Sequence, residues 1–187
     1  MIVSTKMTAR QFEMLGEDPP GVRLELVHGE IVVSPSPSYE HGFTDRRLSQ
    51  LIMNHIDEHD LGELVGDIDT YFDDLDVRRP DIIFTAKARV GLRDKAKHGI
   101  RYAPDLCVEI LSPDSATMDQ TDKLELYAKG GVAHYWIVDP IHCTFTAYKL
   151  TRGKYVEVAS GAKDEVVCAE PFPKLKIPLK RLWPPRH

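Results

Sequence analysis

Apolar and polar residues alternate near the start of the chain in a pattern that predicts a β-hairpin. Between positions 22 and 33, apolar residues such as Leu24 and Leu26 alternate with charged ones, and His28-Gly29 divides the segment into two halves. Successive strand residues point to opposite faces, so this alternation is typical of two half-buried strands joined by a tight turn.

Apolar residues recur at helical spacing in two later segments. Leu48 and Ile52 fall on one helical face, which predicts a long helix that ends at Gly62. A second helix is predicted over residues 119–129, because an apolar stripe there is followed directly by Gly130-Gly131, a typical helix stop.

Short apolar runs between these helices predict the strands of a sheet. The runs at 79–85 and 105–111 are dense in isoleucine, valine and leucine, as buried central strands are. Further strands are predicted at 63–72, 134–138, 144–150 and 154–159, and a short helix at about 9–15. The order of the elements predicts an α/β fold in which a mixed central sheet is flanked by helices.

The length of 187 residues fits one domain with a substantial core. We place that core at about residues 22–150 and assign 151–187 to a C-terminal hairpin and tail. No apolar run approaches the roughly 18 residues of a membrane span, and residues 1–15 lack a secretory pattern, so we expect a cytoplasmic protein. The net charge of −5 argues against a protein that coats nucleic acid with a uniformly positive surface.

Two carboxylates look out of place in the apolar runs. Asp81 lies in the run at 79–85, and Glu109 lies in the run at 105–111. A buried carboxylate is costly unless it is paired or binds a metal, and Mg²⁺ or Mn²⁺ prefers oxygen ligands. Neighbouring strands can bring the two acids together, and the backbone carbonyl of Ile110 is a candidate third ligand. The alternative is that each acid is an ordinary surface residue at a strand end.

Several segments carry a resemblance to a known family. They are LELVHGEIV at 24–32, SPSP at 34–37, RPDII at 79–83, APDLCVEILSP at 103–113, DQTDK at 119–123 and the segment 127–140, together with His41. In this combination the chain resembles, over nearly its whole length, the bacterial Uma-two family within the PD-(D/E)XK nuclease superfamily.

The resemblance implies a restriction endonuclease-like fold with a metal site at Asp81 and Glu109. In that superfamily a lysine stands two positions after the second acid, but here Leu111 occupies that position. Lys123, on the following helix, is the candidate amine that orients water or stabilises charge on the phosphate. The alternative is a solvated helix lysine paired with Asp119, four residues before it.

The resemblance also suggests contributions from Glu25 and His41. Glu25 is a candidate acidic contact in the site, and His41 is a candidate contact to phosphate or to water at the metal. The alternatives are a carboxylate on a strand surface and a histidine that caps a helix. The superfamily further implies a homodimer, since two sites are needed to cut both strands of a duplex.

Basic residues are concentrated between the two carboxylate strands. They are Lys87, Arg89, Arg93, Lys95, Lys97 and Arg101. Because phosphate contacts dominate nucleic-acid affinity, this segment is a candidate nucleic-acid contact beside the site, and an ordinary solvated loop is the alternative.

Two functional hypotheses follow. The first is a magnesium-dependent endonuclease that hydrolyses phosphodiester bonds, with DNA as the expected substrate. The second is a catalytically inactive nuclease-fold protein that binds or regulates, because Leu111 replaces the expected lysine, the chain is acidic and a fold does not establish a function.

Overall fold

The computed structural model describes residues 6–112 and 117–185 of the chain. The helices are α1 (Ala9–Glu13), α2 (Tyr39–His59) and α3 (Thr117–Lys129), with short 3-10 turns at Lys87–Leu92 and Leu179–Arg181. The capping pair expected at the start of α1 is present, with the Thr8 side chain and the Gln11 side chain each bonded to the other's backbone N–H. Helix α2 ends at Asp60 in the left-handed conformation, before the predicted stop at Gly62.

The central sheet has six strands in the order β10-β9-β8-β7-β6-β3. Their bounds are β3 Gly62–Val65, β6 Ile82–Ala86, β7 Leu106–Ile110, β8 His134–Asp139, β9 Thr144–Thr151 and β10 Lys154–Ala162. Strands β7 and β8 are parallel and the other neighbours are antiparallel, so the sheet is mixed. The predicted α/β fold, a mixed central sheet flanked by helices, is confirmed.

A smaller sheet holds the predicted hairpin. Its strands, in the order β2-β1-β5-β4, are β1 Val22–Val27, β2 Glu30–Pro35, β4 Thr70–Tyr71 and β5 Val77–Arg78. The runs at 63–72 and 79–85 therefore do not form continuous strands. Pro80 lacks a backbone N–H and cannot donate to a ladder, and the chain passes from β5 to β6 around it. Asp81 stands immediately before β6, so its predicted place within a strand is wrong.

The two faces of the central sheet pack against different partners. Ile82 and Phe84 of β6 point into a core shared with α2, whereas Ile83 and Thr85 point to the opposite face. On that opposite face, Cys107 of β7 packs with residues of α3. Since Asp81 is in phase with positions 83 and 85, it belongs to the α3 face.

The C-terminal segment is more ordered than its prolines suggest. Strands β11 (Val166–Ala169) and β12 (Phe172–Pro178) form a hairpin, so the segment predicted as a tail contains a strand pair. Phe172 and Ile177 are almost fully buried in the core on the α2 side. None of the helices in the described ranges is long and apolar enough to cross a membrane.

Candidate active site

Asp81 and Glu109 lie side by side, before β6 and near the end of β7. The antiparallel register pairs Ile82 with Val108, and its continuation sets Asp81 opposite Glu109. Opposed residues of such a pair project from the same face. The Ile110 N–H donates to Asp81 Oδ2 at 2.7 Å and ties the two strand ends together. The structure therefore brings the two acids of the sequence hypothesis together, both of them buried.

Asp81 is held between two basic side chains. His41 Nε2 lies 3.2 Å from Asp81 Oδ2, and the Arg23 guanidinium lies 3.3 Å from Asp81 Oδ1. Burial favours the neutral acid, but the hydrogen bond and charge of His41, with the charge of Arg23, outweigh it and lower the pKa of Asp81. Asp81 is thus a charged carboxylate with both oxygens already bonded.

Glu109 has two donors from helix α3. Lys123 Nζ donates to Oε2 at 2.8 Å, and the Tyr127 hydroxyl donates to Oε1 at 2.6 Å. Burial raises the pKa of Glu109 to about 7, against the opposing charge of Lys123 and with the charge of Asp81 adding to the rise. Two neighbouring acids therefore differ in their tendency to hold a proton, which is a common property of functional sites.

Lys123 is positioned by the helix rather than by the strand. It is 6% exposed and lies one helical turn before Tyr127, so both side chains leave α3 on the same side toward Glu109. A solvated lysine on the helix surface is therefore not what the structure shows. The Asp119 side chain, its alternative partner, lies outside the described residues.

Glu25 and His41 also border the two acids. Glu25 is 5% exposed, and its Oε1 accepts a hydrogen bond from the Arg79 backbone N–H at 2.6 Å, next to Asp81 in the chain. His41 lies at the start of α2, where its own N–H donates to the Ser38 hydroxyl. Burial lowers its pKa, but the contact with Asp81 outweighs that and raises it. His41 Nδ1 is buried and has no hydrogen-bond partner within residues 6–112 and 117–185.

Sequence reasoning missed Arg23 and Tyr127. Arg23 is one of the charged residues that alternate with apolar ones in the predicted hairpin, yet its guanidinium reaches Asp81 and lies 3.4 Å from Asp67. Its place two residues before Glu25, on the same face of β1, was the available signal. Tyr127 belongs to the apolar stripe of the helix predicted over residues 119–129; its ring is buried, and only its hydroxyl belongs to the site.

The basic segment between β6 and β7 divides into two groups. Four of its members form ion pairs within the chain, three of them with acids outside the segment, namely Lys87 with Asp60, Arg89 with Asp105 and Arg101 with Glu13. The fourth is Lys97, whose Nζ lies 3.7 Å from Asp94 within the segment itself. Lys97 lines a cavity on the α3 face of the sheet together with Arg93 and Lys95. Arg93, Lys95 and Lys97 are therefore the members of the segment that border a cavity.

The side chains present are of the type that binds a hard divalent cation, but they are not arranged as a complete set of ligands. Asp81 and Glu109 supply oxygen donors from facing positions, the ligand type that Mg²⁺ and Mn²⁺ take while retaining several waters. Within the described residues no cluster of three or more His, Cys, Asp or Glu side chains is arranged to hold a metal. Arg23 and Lys123 at present neutralise the carboxylates that a cation would use.

Comparisons with known proteins agree on one family and one fold. The Uma2 family, described as "Putative restriction endonuclease", matches residues 9–180. A solved structure of "a putative nuclease belonging to DUF820 from Anabaena variabilis ATCC 29413" is similar, with a TM-score of 0.76 and 23% identity over 95% of this chain and 97% of that one. At that identity the likeness shows the fold. No curated protein matches the chain. From the match over residues 9–180, the chain belongs to the Uma2 family.

Proposed function

We propose that this protein is a nuclease that depends on Mg²⁺ or Mn²⁺ and hydrolyses phosphodiester bonds, with DNA as its substrate. The observation that carries the proposal is the convergence of two buried acids, Asp81 and Glu109, with Lys123 Nζ 2.8 Å from Glu109. Membership of the Uma2 family supports it. Structural ion pairs can look similar, so the proposal stands on the whole group and on the family together.

The proposed roles follow from the contacts. Asp81 and Glu109 would hold the cation, with the Ile110 carbonyl as a further ligand. A divalent cation bound there supplies polarisation of a phosphoryl oxygen and a water of lowered pKa. Lys123 would orient the attacking water and stabilise negative charge on the phosphate, and the buried Nδ1 of His41 is a further candidate contact to that phosphate.

Glu25 has a positioning role in this proposal. It accepts the Arg79 N–H at 2.6 Å and so fixes the backbone that leads into Asp81. The Arg79 side chain in turn bonds Asp69 at 2.8 Å, which anchors the same turn from outside. Glu25 would thus hold Asp81 in register rather than contact the substrate.

The direct test is a cleavage assay with purified native protein on supercoiled plasmid, single-stranded DNA and RNA. We expect cleavage with Mg²⁺ or Mn²⁺ and none in EDTA or with Ca²⁺ alone. We also propose that a homodimer acts on duplex DNA, in which case linear plasmid should appear alongside nicked plasmid. Equal cleavage in EDTA would contradict the metal requirement.

A second candidate function is a nuclease-fold protein that binds nucleic acid without cutting it. One observation favours it: Lys123 and Tyr127 occupy both oxygens of Glu109 in the described structure. Absence of cleavage, together with no rise in melting temperature on adding Mn²⁺, would support this function over the first, because a ligand that binds only the folded state must stabilise it.

Arg23 should compete with the cation for Asp81. Its guanidinium lies 3.3 Å from Oδ1, so removing its charge should tighten Mn²⁺ binding by about tenfold, since unit charges this close interact strongly in a partly buried site. The change is Arg23→Gln, and the measurement is a calorimetric or electron-paramagnetic-resonance titration with Mn²⁺.

Arg89→Gln is the matched control for Arg23→Gln. It removes an arginine from another Arg–Asp pair, with Asp105, at the opposite end of β7. We expect its Mn²⁺ affinity to match that of the native protein. Weaker Mn²⁺ binding in Arg23→Gln would show instead that Arg23 holds the acids in place for the metal.

A further inference from the structure

A cavity of about 430 Å³ lies on the same sheet face as the two acids. Its sheet side is formed by Glu63, Val65 and Thr85, and its outer side by the segment 93–100 together with Tyr102. We call it the loop cavity. Its volume lies within the range of pockets that enclose small organic ligands.

The loop cavity and the acids share one surface because of strand alternation. Thr85 is in phase with Asp81 along β6, and Glu63 and Val65 pair with Thr85 and Ile83 across β3 and β6. Thr85 is four residues beyond Asp81, a separation of roughly 13 Å along a strand. A stacked nucleic-acid strand rises about 3.4 Å per nucleotide, so this distance corresponds to roughly four nucleotides, or fewer if the strand is extended.

The segment that covers the cavity is anchored at its end. Ile100 N–H donates to the Asp69 carbonyl and the Ile100 carbonyl accepts from Tyr71 N–H, each at 2.8 Å. Gly99 adopts φ +73°, and a Cβ there would lie 2.3 Å from the Asp69 carbonyl oxygen. The Tyr102 hydroxyl lies 3.1 Å from Thr85 Oγ1 and joins this wall to the sheet.

The two sides of the loop cavity differ in chemistry. Arg93, Lys95 and Lys97 come from the covering segment. Lys97 Nζ lies 3.7 Å from Asp94 in an exposed pair, whereas within the described residues neither Arg93 nor Lys95 forms an ion pair with a carboxylate. The opposite side offers apolar contacts at Val65, with a single carboxylate from Glu63. Positive charge on one side and apolar surface with one acceptor on the other match a nucleotide, which has an anionic phosphate and a flat base with amino donors.

We propose that the loop cavity holds one unstacked nucleotide of the substrate strand, beyond the phosphate that lies at Asp81 and Glu109. Its phosphate faces Lys95 and Lys97, and its base packs between Val65 and the half-buried ring of Tyr102. The inference rests on the proposed function for the identity of the ligand. It adds a recognition site that favours single-stranded or locally opened DNA, because a base can enter only when it is unpaired.

The test is equilibrium binding in EDTA, so that no cleavage occurs. Fluorescence anisotropy compares a labelled oligodeoxycytidylate of about twelve nucleotides, whose bases carry an amino donor, with an abasic strand of the same length and charge. We expect the native protein to bind the base-containing strand about tenfold more tightly, the order of one base packed on an aromatic side chain. Equal affinity for the two strands would overturn the proposal.

Two variants separate base binding from general attraction to phosphate. Ala96→Trp fills the cavity from an exposed position that lines it, and should abolish the preference for the base-containing strand. Ala88→Trp is its control, since Ala88 is exposed on the preceding 3-10 turn and does not line the cavity. If Ala88→Trp reduces the preference as much as Ala96→Trp does, the cavity is not the site.

A pair of lysine substitutions tests the charged side. Lys95→Gln with Lys97→Gln should weaken binding of both strands and flatten the salt dependence, because fewer counterions are released. Lys174→Gln with Lys176→Gln removes two exposed lysines of the same spacing from β12 and should change neither affinity. Equal losses in the two double variants would mean that net charge alone drives binding.

Failure of the cavity and failure of the nuclease proposal give different results. Asp81→Asn should keep the preference for the base-containing strand, because it alters the acids and not the cavity. A base preference without any cleavage would retain the loop cavity and reject the nuclease. Cleavage without a base preference would retain the nuclease and reject the loop cavity as a nucleotide site.

Discussion

Asp81→Asn should reduce divalent-dependent cleavage of DNA by about a thousandfold, equivalent to roughly 4 kcal/mol of transition-state stabilisation. The substitution keeps the shape of the side chain but removes the charge that a cation needs. The surroundings of Asp81 lower its pKa despite its burial, so this carboxylate stays ionised. The measurement is plasmid cleavage with Mg²⁺ or Mn²⁺, with Mn²⁺ binding measured in parallel.

Asp105→Asn is the matched control for Asp81→Asn. Asp105 accepts from the Arg89 guanidinium at 2.7 Å and from the Ala86 N–H at 2.8 Å, so it has an arginine and a backbone donor as Asp81 does, but no histidine. It lies at the opposite end of β7, away from Glu109. We expect Asp105→Asn to lose stability but to keep cleavage close to the native rate. Native-like cleavage in Asp81→Asn, with the fold intact by circular dichroism, would place the active site elsewhere.

The convergence of the two acids could be predicted because it depends on local patterns. Asp81 and Glu109 each stand in an apolar run, and two adjacent runs of that kind form neighbouring strands. The strand break at Pro80 could have been anticipated from its missing N–H, and it explains why Asp81 precedes β6. The hairpin at 22–33 was likewise readable from alternation alone.

The contacts that complete the site could not be read from the sequence because they join distant elements. Arg23 reaches Asp81 from a hairpin 58 residues earlier, and alternation says only that it lies on a polar face. Tyr127 has an ordinary apolar ring, and only the position of its hydroxyl relative to Glu109 gives it a polar role. The pairing of the basic segment is equally hidden from the sequence, because Arg101 forms an ion pair with Glu13 of the distant helix α1.

Glu109→Leu should lower the free energy of unfolding by about 3–5 kcal/mol, measured by urea denaturation at pH 8 in EDTA. Both partners of the Glu109–Lys123 pair are almost fully buried, at 5% and 6% exposed. Removing the carboxylate leaves the Lys123 ammonium buried without its 2.8 Å partner, and the loss of a buried charge partner is far more damaging than the loss of a surface one. Glu170→Leu, which breaks the half-exposed pair with Lys149, should lose about 1 kcal/mol or less.

Two further substitutions should restore most of the free energy of unfolding that Glu109→Leu loses. Lys123→Met added to Glu109→Leu removes the buried ammonium that has lost Glu109 and replaces the pair with apolar side chains of similar size, an exchange that is often neutral. Tyr127→Phe then removes the hydroxyl that has lost its acceptor, recovering about 1 kcal/mol more. If Glu109→Leu alone is no less stable than the triple variant, the three side chains are not energetically coupled. If the triple variant is as stable as the native protein yet binds no Mn²⁺, the buried charges at this position are needed for metal binding and not for the stability of the fold.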